Sequence, residues 1–189
     1  MFRVARRLAL VIVVISAGCA EPPNKEMNLA QGAIEAARAA GADRFAATEF
    51  TAAIDALKKS HEAAAGNDYR QSLSHALDSF ERAQNSAKLA VEGRANARGE
   101  AERAVAQVAT LLATAETQLK ASPLAARGLK GPQRTIVSAG MALQKARAAL
   151  KQEDYLAVGP ALEGVAAGLQ AALTQIDSPP PAAPSRRKR

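Results

Sequence analysis

Residues 45–90 read FAATEFTAAIDALKKSHEAAAGNDYRQSLSHALDSFERAQNSAKLA, and this stretch decides the predicted fold. Apolar residues recur every three or four positions on both sides of Gly66-Asn67-Asp68-Tyr69, which is the pattern of two amphipathic helices. Gly66 is a typical helix end, and Asp68 is a typical N-cap for the next helix. Tyr69 can place its ring between the two helices and its hydroxyl in water. The stretch therefore predicts a helical hairpin with a structural corner.

A second copy of this hairpin is predicted 86 residues further along the chain. Seven of the twenty residues 50–69 are identical to their equivalents in 136–155. Ala-rich helices can also match each other by chance, which is the alternative. The evidence for a second copy therefore rests mainly on Asp154-Tyr155, which matches the corner residues Asp68-Tyr69. We interpret Asp154 as a cap and Tyr155 as a wedge. Such corners are similar to those of tetratricopeptide-like hairpins, although the full tetratricopeptide pattern is absent.

A long Ala-rich helix is predicted to join the two hairpins and to run to Lys120. Its apolar seam follows alternating steps of three and four residues, at positions 73, 76, 80, 83, 87, 90, 94, 97, 101, 104, 108, 111 and 115. This period is typical of coiled coils, and Arg94 is its one interruption. Gly93 and Gly99 each weaken a helix by up to about 1 kcal/mol. Because the seam keeps its phase across both, we predict one continuous helix, with a bend there as the alternative.

Composition also favours an all-α, elongated bundle with coiled-coil-like packing. Only 3% of the residues are aromatic, and none is Trp. Alanine dominates the apolar fraction, and it has the best helix propensity but little area to bury. A thin core between closely packed helices is therefore expected.

The predicted organisation follows from these patterns and from the prolines. We expect a signal peptide (1–18), a tether (19–25), a hairpin with the long helix (26–120), a loop (121–132), a second hairpin (133–177) and a disordered or polyproline-like basic tail (178–189). Within the first hairpin we expect a helix over 26–40, a turn over 42–47 and Thr48 as an N-cap. A kink is expected at Gly159-Pro160 in the last helix.

The N-terminus resembles that of a bacterial lipoprotein. Three arginines precede the apolar run Leu8–Ile15, which is too short to span a bilayer but has the length of a secretory signal. Ser16-Ala17-Gly18-Cys19 then resembles a lipobox, in which the cysteine receives diacylglycerol and becomes the mature N-terminus. The alternative is an ordinary signal peptide with an unmodified cysteine. Cys19 is the only cysteine and cannot form an internal disulfide, so lipidation gives it a use.

Lipidation at Cys19 predicts the location of the protein. Two or three acyl chains anchor a protein stably to a membrane, whereas one does so marginally. Ala20 follows the cysteine, where Asp favours inner-membrane retention in enterobacterial lipoproteins. The resemblance therefore implies an outer-membrane lipoprotein that faces the periplasm.

The net charge of +7 belongs to the chain ends. Seven of the 25 Lys and Arg lie before residue 8 or after residue 185, and the other 18 balance 18 Asp and Glu. A nucleic-acid partner is not expected, because such a partner requires positive charge on the folded face. The run Arg186–Arg189 suits anionic lipid headgroups or an acidic envelope polymer, and a solubilising tail is the equally good alternative.

The chain carries no pattern that predicts catalysis. His61 and His75 flank the first corner, but no cysteine, third histidine or carboxylate cluster completes a metal site. No haem signature, phosphate-binding loop or nucleophile elbow is present, so neither an enzyme nor a cofactor is expected. We predict a structural, scaffolding or protein-interaction role, with the alanine seam pairing with a partner protein or with a second copy. The alternative is a periplasmic ligand- or peptide-binding, or chaperone-like, module.

One family resemblance accompanies this interpretation. Gly41-Ala42, Phe45-Ala46, Glu49 and an Ala/Leu-rich helix precede Asn67-Asp68-Tyr69 and a second Ala-rich helix. This order resembles a family of small Ala-rich helical bacterial envelope lipoproteins that is known as a domain of unknown function. The resemblance covers residues 28–89, and the family often has Pro at position 47 and Gly at position 67. It implies a helical envelope protein and brings no catalytic residues.

Overall fold

The computed structural model describes residues 21–122 and 126–178, and nearly all of them are helical, with no strand among them. The predicted all-α class is confirmed. The helices are α1 (Asn24–Ala39), α2 (Ala42–Phe45), α3 (Ala47–Ala65), α4 (Tyr69–Ala121), α5 (Ala126–Lys151), a 3-10 turn (Tyr155–Ala157), α6 (Val158–Leu162) and α7 (Val165–Asp177). Several predictions fall outside the described residues: the signal peptide, the lipidation of Cys19, and the disordered or polyproline-like tail beyond Ser178 with its basic run at 186–189.

The described chain divides into two compact units. The first unit ends at Gly93 and the second begins at Arg94. Helix α4 passes through this boundary without a break, so each unit contains part of it. The helix is also continuous through Gly99, as the phase of the predicted seam indicated.

The core of the first unit combines large side chains from two helices with small ones from the third. Helices α1 and α3 pack together. Their largest core residues are Met27, Ile34, Phe50 and Leu57. The buried apolar residues that helix α4 contributes to this core are alanines, at positions 76, 83 and 90, and the half-buried Phe80 packs against it. The Oγ of Ser60 donates to the carbonyl of Ser72, and the Oγ of Ser79 donates to that of Ala53, so α3 and α4 run antiparallel.

The core of the second unit also combines large side chains from other helices with smaller ones from α4. Helix α5 packs against α6 and α7. The buried residues of α6 and α7 include Val158, Leu162, Leu169 and Ile176. The part of α4 in this unit buries smaller side chains, which are Ala101, Val105, Val108 and Ala115. The small-residue surface of the long helix is thus used within each unit.

The first hairpin begins earlier than predicted, and its turn is partly helical. Helix α1 starts at Asn24, after an N-cap at Pro23, so residues 24 and 25 belong to the helix and not to the tether. Residues 42–45 form the short helix α2 after Gly41, whose φ of 86° is in the left-handed region. Thr48 is not the N-cap of α3; that position is Ala46, and Thr48 is the second helical residue.

The predicted loop at 121–132 is too long. Helix α5 starts at Ala126 and contains Pro132. A proline within a helix removes a backbone hydrogen bond, and for this reason the sequence predicts a loop that extends to Pro132. In the structure Pro132 is fully buried. A Cβ on the preceding Gly131 would lie 3.4 Å from Oε1 of Gln175 on α7. Packing against α7 therefore stabilises a helical segment that local preference disfavours.

The last helix breaks at a different point from the one predicted. Pro160 is the third residue of α6, where its missing N–H has no helical partner to lose. The chain leaves the helical conformation at Glu163, with ψ of 128°, and at Gly164, with φ of 70°.

Among the described residues, only the stretch 155–177 is long and apolar enough to span a membrane, by length and composition alone. It forms three consecutive segments, whose buried side chains pack within the second unit.

The predicted seam describes only part of the buried face of α4. Its alanines at 76, 83, 90, 101 and 115 are buried, but Leu73 and Arg94 are exposed. In the first unit the buried face is completed by Ser72, Ser79 and Ser86, each one residue before a seam position. The face there is wider than a coiled-coil seam because this part of α4 contacts both α1 and α3, and two neighbours cover a broader arc than one.

Candidate interaction surface

The two predicted corners have the same backbone geometry. Asn67 and Glu153, which are 86 residues apart, have φ of 60° and 59°, and no other non-glycine described residue has a positive φ. The amide of Asp68 donates to the carbonyl of Ala63 at 2.9 Å. The amide of Asp154 donates to the carbonyl of Ala149, also at 2.9 Å. This hydrogen bond closes a left-handed C-terminal cap in each unit.

The side chains at the two corners differ in their surroundings. An Oδ1 of Asp68 accepts from the backbone amide of Gln71 at 3.0 Å, which is the geometry of an N-cap. The hydroxyl of Tyr69 donates to Oδ1 of Asn67 at 2.9 Å on the exposed side of the turn. Tyr155 is buried instead, and Asp154 accepts from the amide of Ala157 through its backbone carbonyl. These contacts connect each corner to its own unit.

The equivalence extends along both helices of each copy. Eleven residues between 50 and 90 are buried, and nine of their equivalents in 136–176 are buried as well. The two exceptions, Ala142 and Val165, are half-buried. Since the sequence identity alone left duplication and chance similarity open, the shared burial and the shared corner now favour duplication.

Four serines that were not predicted to be core residues are fully buried. They are Ser60, Ser72, Ser79 and Ser86. The Oγ atoms of Ser60 and Ser72 lie 3.1 Å apart, and Ser86 donates to the carbonyl of Ala83 in its own helix. The signal was present, because three of the serines are spaced by seven residues. Each is followed four residues later by a buried alanine, which is the repeat of one helix face.

The histidines do not form a metal site with other described residues. His61 is exposed and His75 is half-buried. Within residues 21–122 and 126–178, no group of three or more His, Cys, Asp or Glu is arranged to hold a metal ion. Both side chains lie near the first corner, on α3 and α4, as the sequence placed them.

Two polar grooves are lined by ion pairs. One, of about 450 Å³, includes Glu49, Asp78 and Arg82, and the hydrogen bond from Arg82 to Asp78 raises the pKa of the guanidinium. The other, of about 360 Å³, includes Arg98, whose pKa is raised by its hydrogen bond to Glu102. Arg94, nearby in sequence, pairs with Glu153. In the first groove Arg82 thus pairs with both carboxylates, and in the second Arg98 pairs with Glu102.

Exposed apolar side chains form the more informative surface. In the second unit, Val137 and Met141 lie one turn apart on α5 and are 62% and 63% exposed; we call them the α5 patch. In the first unit, Leu29 on α1 and Leu73 and Leu77 on α4 are also exposed; we call them the leucine patch. Single exposed apolar residues are ordinary, whereas groups of them mark contact surfaces.

Comparison with known proteins identifies no relative. No family model matches the chain, and no curated protein and no solved structure matches it. The resemblance to the lipoprotein family of unknown function therefore rests on the quoted motif and stays a prediction. What the chain does is inferred from its own residues.

Proposed function

We propose that the protein is a lipid-anchored bacterial envelope lipoprotein that faces the periplasm from the outer membrane and acts as a scaffold or interaction protein. Its N-terminal pattern, ending in Cys19, supports the anchor. Its body is proposed to be two tetratricopeptide-like helical hairpins, joined by the long helix α4 with coiled-coil-like packing. The equivalent corners and the shared burial pattern support this arrangement. We propose no catalytic role, and no nucleic-acid partner.

The observation that carries the interaction role is the α5 patch. The alanines of the α4 seam at 76, 83, 90, 101 and 115 are already buried, so a partner has to use another surface. Val137 and Met141 provide one on the side of α5 away from its buried residues Ile136 and Leu143. Methionine suits such a surface because its flexible side chain adapts to different partners.

The anchor is tested by metabolic labelling with a palmitate analogue in the native host. We expect the full chain to be labelled and the Cys19→Ala variant to remain unlabelled. A conservative Cys19→Ser variant controls for disruption of the signal, and it should also be unlabelled. Equal labelling of the three proteins would contradict the anchor.

The interaction role is tested by photo-crosslinking in cells. A photoreactive residue replaces Met141, and the matched control carries it at Asp55, the equivalent exposed position of the first unit. We expect a discrete crosslinked species at 141 and none at 55, and mass spectrometry then distinguishes a partner protein from a second copy. No adduct at 141, or the same adducts at both positions, would contradict the role.

A ligand-binding or chaperone-like module is the second candidate. A groove of about 400 Å³ in the second unit supports it, and small residues, including Ala139, Ala142 and Gly168, line it. If apolar peptides bind there, they should raise the thermal midpoint of the full chain. Filling the groove with Ala142→Phe should abolish that shift, whereas the same shift in both proteins would place binding elsewhere.

A further inference from the structure

The leucine patch continues two partly buried lines of residues on neighbouring helices. On α1, Leu29 lies one turn before Ala33, and on α4, Leu73 and Leu77 precede Phe80 by seven and three residues. Ala33 and Phe80 both pack against the core of the first unit. Residues at such spacings share one side of a helix. The three leucines therefore flank the outer edge of the contact between α1 and α4.

The patch lies at the end of the first unit where α1 begins. The Oγ of Ser72 contacts the Sδ of Met27 at 3.9 Å, which brings the start of α1 beside the first turns of α4. Leu29 is two residues after Met27, and Leu73 directly follows Ser72. All three leucines are thus at the end of the first unit where α1 begins, and the start of α1 follows Cys19 closely in sequence.

The distance along the chain restricts what can cover this patch. Asn24, the first residue of α1, is only five residues after Cys19. Even fully extended, five residues span roughly 18 Å. A lipid on Cys19 would therefore hold the start of α1 close to the bilayer surface.

Basic residues accompany the leucines. Lys25 lies one turn before Leu29, and Arg70 lies three residues before Leu73 and seven before Leu77. Both are exposed. Leucines beside Lys and Arg are the composition of surfaces that rest in the interface of an anionic bilayer, where the cations meet phosphates and the apolar side chains enter the acyl boundary.

We infer that the leucine patch rests on the bilayer in which the Cys19 lipid inserts. This inference deepens the proposed lipoprotein function and depends on it. The lipid and the patch then bind one membrane surface, so the first unit has a defined orientation on the bilayer rather than free rotation on its tether. The Lys25 and Arg70 side chains bind the headgroup phosphates.

The test uses the mature, lipidated full chain in vesicles of phosphatidylethanolamine and phosphatidylglycerol. Leu77→Cys carries an environment-sensitive fluorophore, which reacts only there because the Cys19 sulfur is blocked by its lipid. Lys58→Cys is the matched control, since Lys58 is exposed on α3 in the same unit. We expect spin-labelled lipids to quench the probe at 77 and not at 58, and mass spectrometry confirms the lipid on each sample.

The outcomes separate the patch from the anchor. An unmodified Cys19 overturns the anchor and the patch together, whereas a lipidated protein with an unquenched probe at 77 overturns the patch alone. A probe at 77 that is protected from both spin-labelled lipid and aqueous iodide shows that protein covers the patch, which also overturns the inference. Adding Leu29→Gln and Leu73→Gln, both at exposed positions, should remove the lipid quenching at 77. Unchanged quenching in that variant means that the tether alone brings 77 to the membrane.

Discussion

At five of six equivalent core positions, a small side chain on α4 in the first unit corresponds to a larger one on α6 or α7 in the second. On α4 in the first unit they are Ser72, Ala76, Ser79, Ala83, Ser86 and Ala90; on α6 and α7 in the second they are Val158, Leu162, Val165, Leu169, Ala172 and Ile176. All of them are buried except Val165, which is half-buried. One pattern of burial is therefore produced by two different sets of residues.

The difference shows that core volume is shared among the helices of a unit. In the first unit, Met27, Ile34 and Phe50 on the neighbouring helices supply the volume that α4 lacks. In the second unit α6 and α7 supply it, and α4 again contributes small residues such as Ala101 and Ala115. Protein interiors have a nearly constant packing density, so a small side chain on one helix requires a large one opposite or a closer backbone.

The largest expected effect concerns the large buried side chains that α7 contributes to the core of the second unit. Leu169 is fully buried on α7. We expect Leu169→Ala to lower the free energy of unfolding by about 2–5 kcal/mol, because it removes apolar contacts and leaves a cavity. Urea unfolding followed by circular dichroism measures the change. The control is Leu156→Ala, at a position 47% exposed, which should change it by less than about 0.5 kcal/mol. Similar losses in both variants would contradict the assignment of Leu169 to the core.

The next prediction tests the close backbone approach in the first unit. A Cβ at Gly93 would lie 2.7 Å from the backbone carbonyl oxygen of Phe45, which cannot move as a side chain can. We expect Gly93→Ala to lower the free energy of unfolding by about 1–3 kcal/mol. Gly99 lies in the same helix with open space around it, so Gly99→Ala should raise the free energy by up to about 1 kcal/mol. Thermal unfolding measures the stability of the two variants. If both substitutions change stability in the same direction, the predicted difference between Gly93 and Gly99 is wrong.

A smaller effect is expected for the buried serines of α4, which occupy core positions where the second unit has apolar side chains. The Oγ of buried Ser79 donates to the carbonyl of Ala53 on α3 at 2.8 Å. Ser79→Ala should cost about 1 kcal/mol, since a buried carbonyl loses a hydrogen bond between two helices. Exposed Ser138 donates only to the carbonyl of Thr135 in its own helix, so Ser138→Ala should be close to neutral. Equal stabilities of the two variants in urea would show that the bond between the helices contributes nothing.

The smallest effect distinguishes the two corners. Asn67 and Glu153 share a left-handed conformation that is less costly for asparagine than for glutamate. We expect Glu153→Gly to raise the thermal midpoint, with a gain of about 1 kcal/mol from relieved strain, because the exposed pair with Arg94 contributes little. Asn67→Gly should gain less, since it also loses the hydrogen bond from Tyr69. A larger gain at 67 than at 153 would contradict this ranking.

The local signals in the sequence located the helices and both corners well. Both corners, at Gly66–Tyr69 and at Asp154-Tyr155, could be predicted from the sequence. Turn and cap residues determine the conformation of residues next to them in the chain. The start of α5 and the break at Gly164 were missed, because both depend on packing within the second unit. Position 132 shows the reason: proline disfavours a helix locally, and burial against the rest of the unit overrides that preference. The candidate surfaces were not predicted either, since exposure depends on which face the neighbouring helices leave uncovered.

The sequence by itself determined the helical class, the duplicated corner and the continuity of α4, because helix propensity, caps and periodicity are properties of neighbouring residues. It also carries the lipobox-like pattern at Cys19, a signal that requires no fold. Only the tertiary structure decided that serines would complete the core face of α4 and that Gly93 would lie against Phe45. It also decided that Leu73 and Leu77 would stay exposed beside Leu29. These outcomes depend on the volume and position of side chains from distant parts of the chain, and no local pattern contains that information.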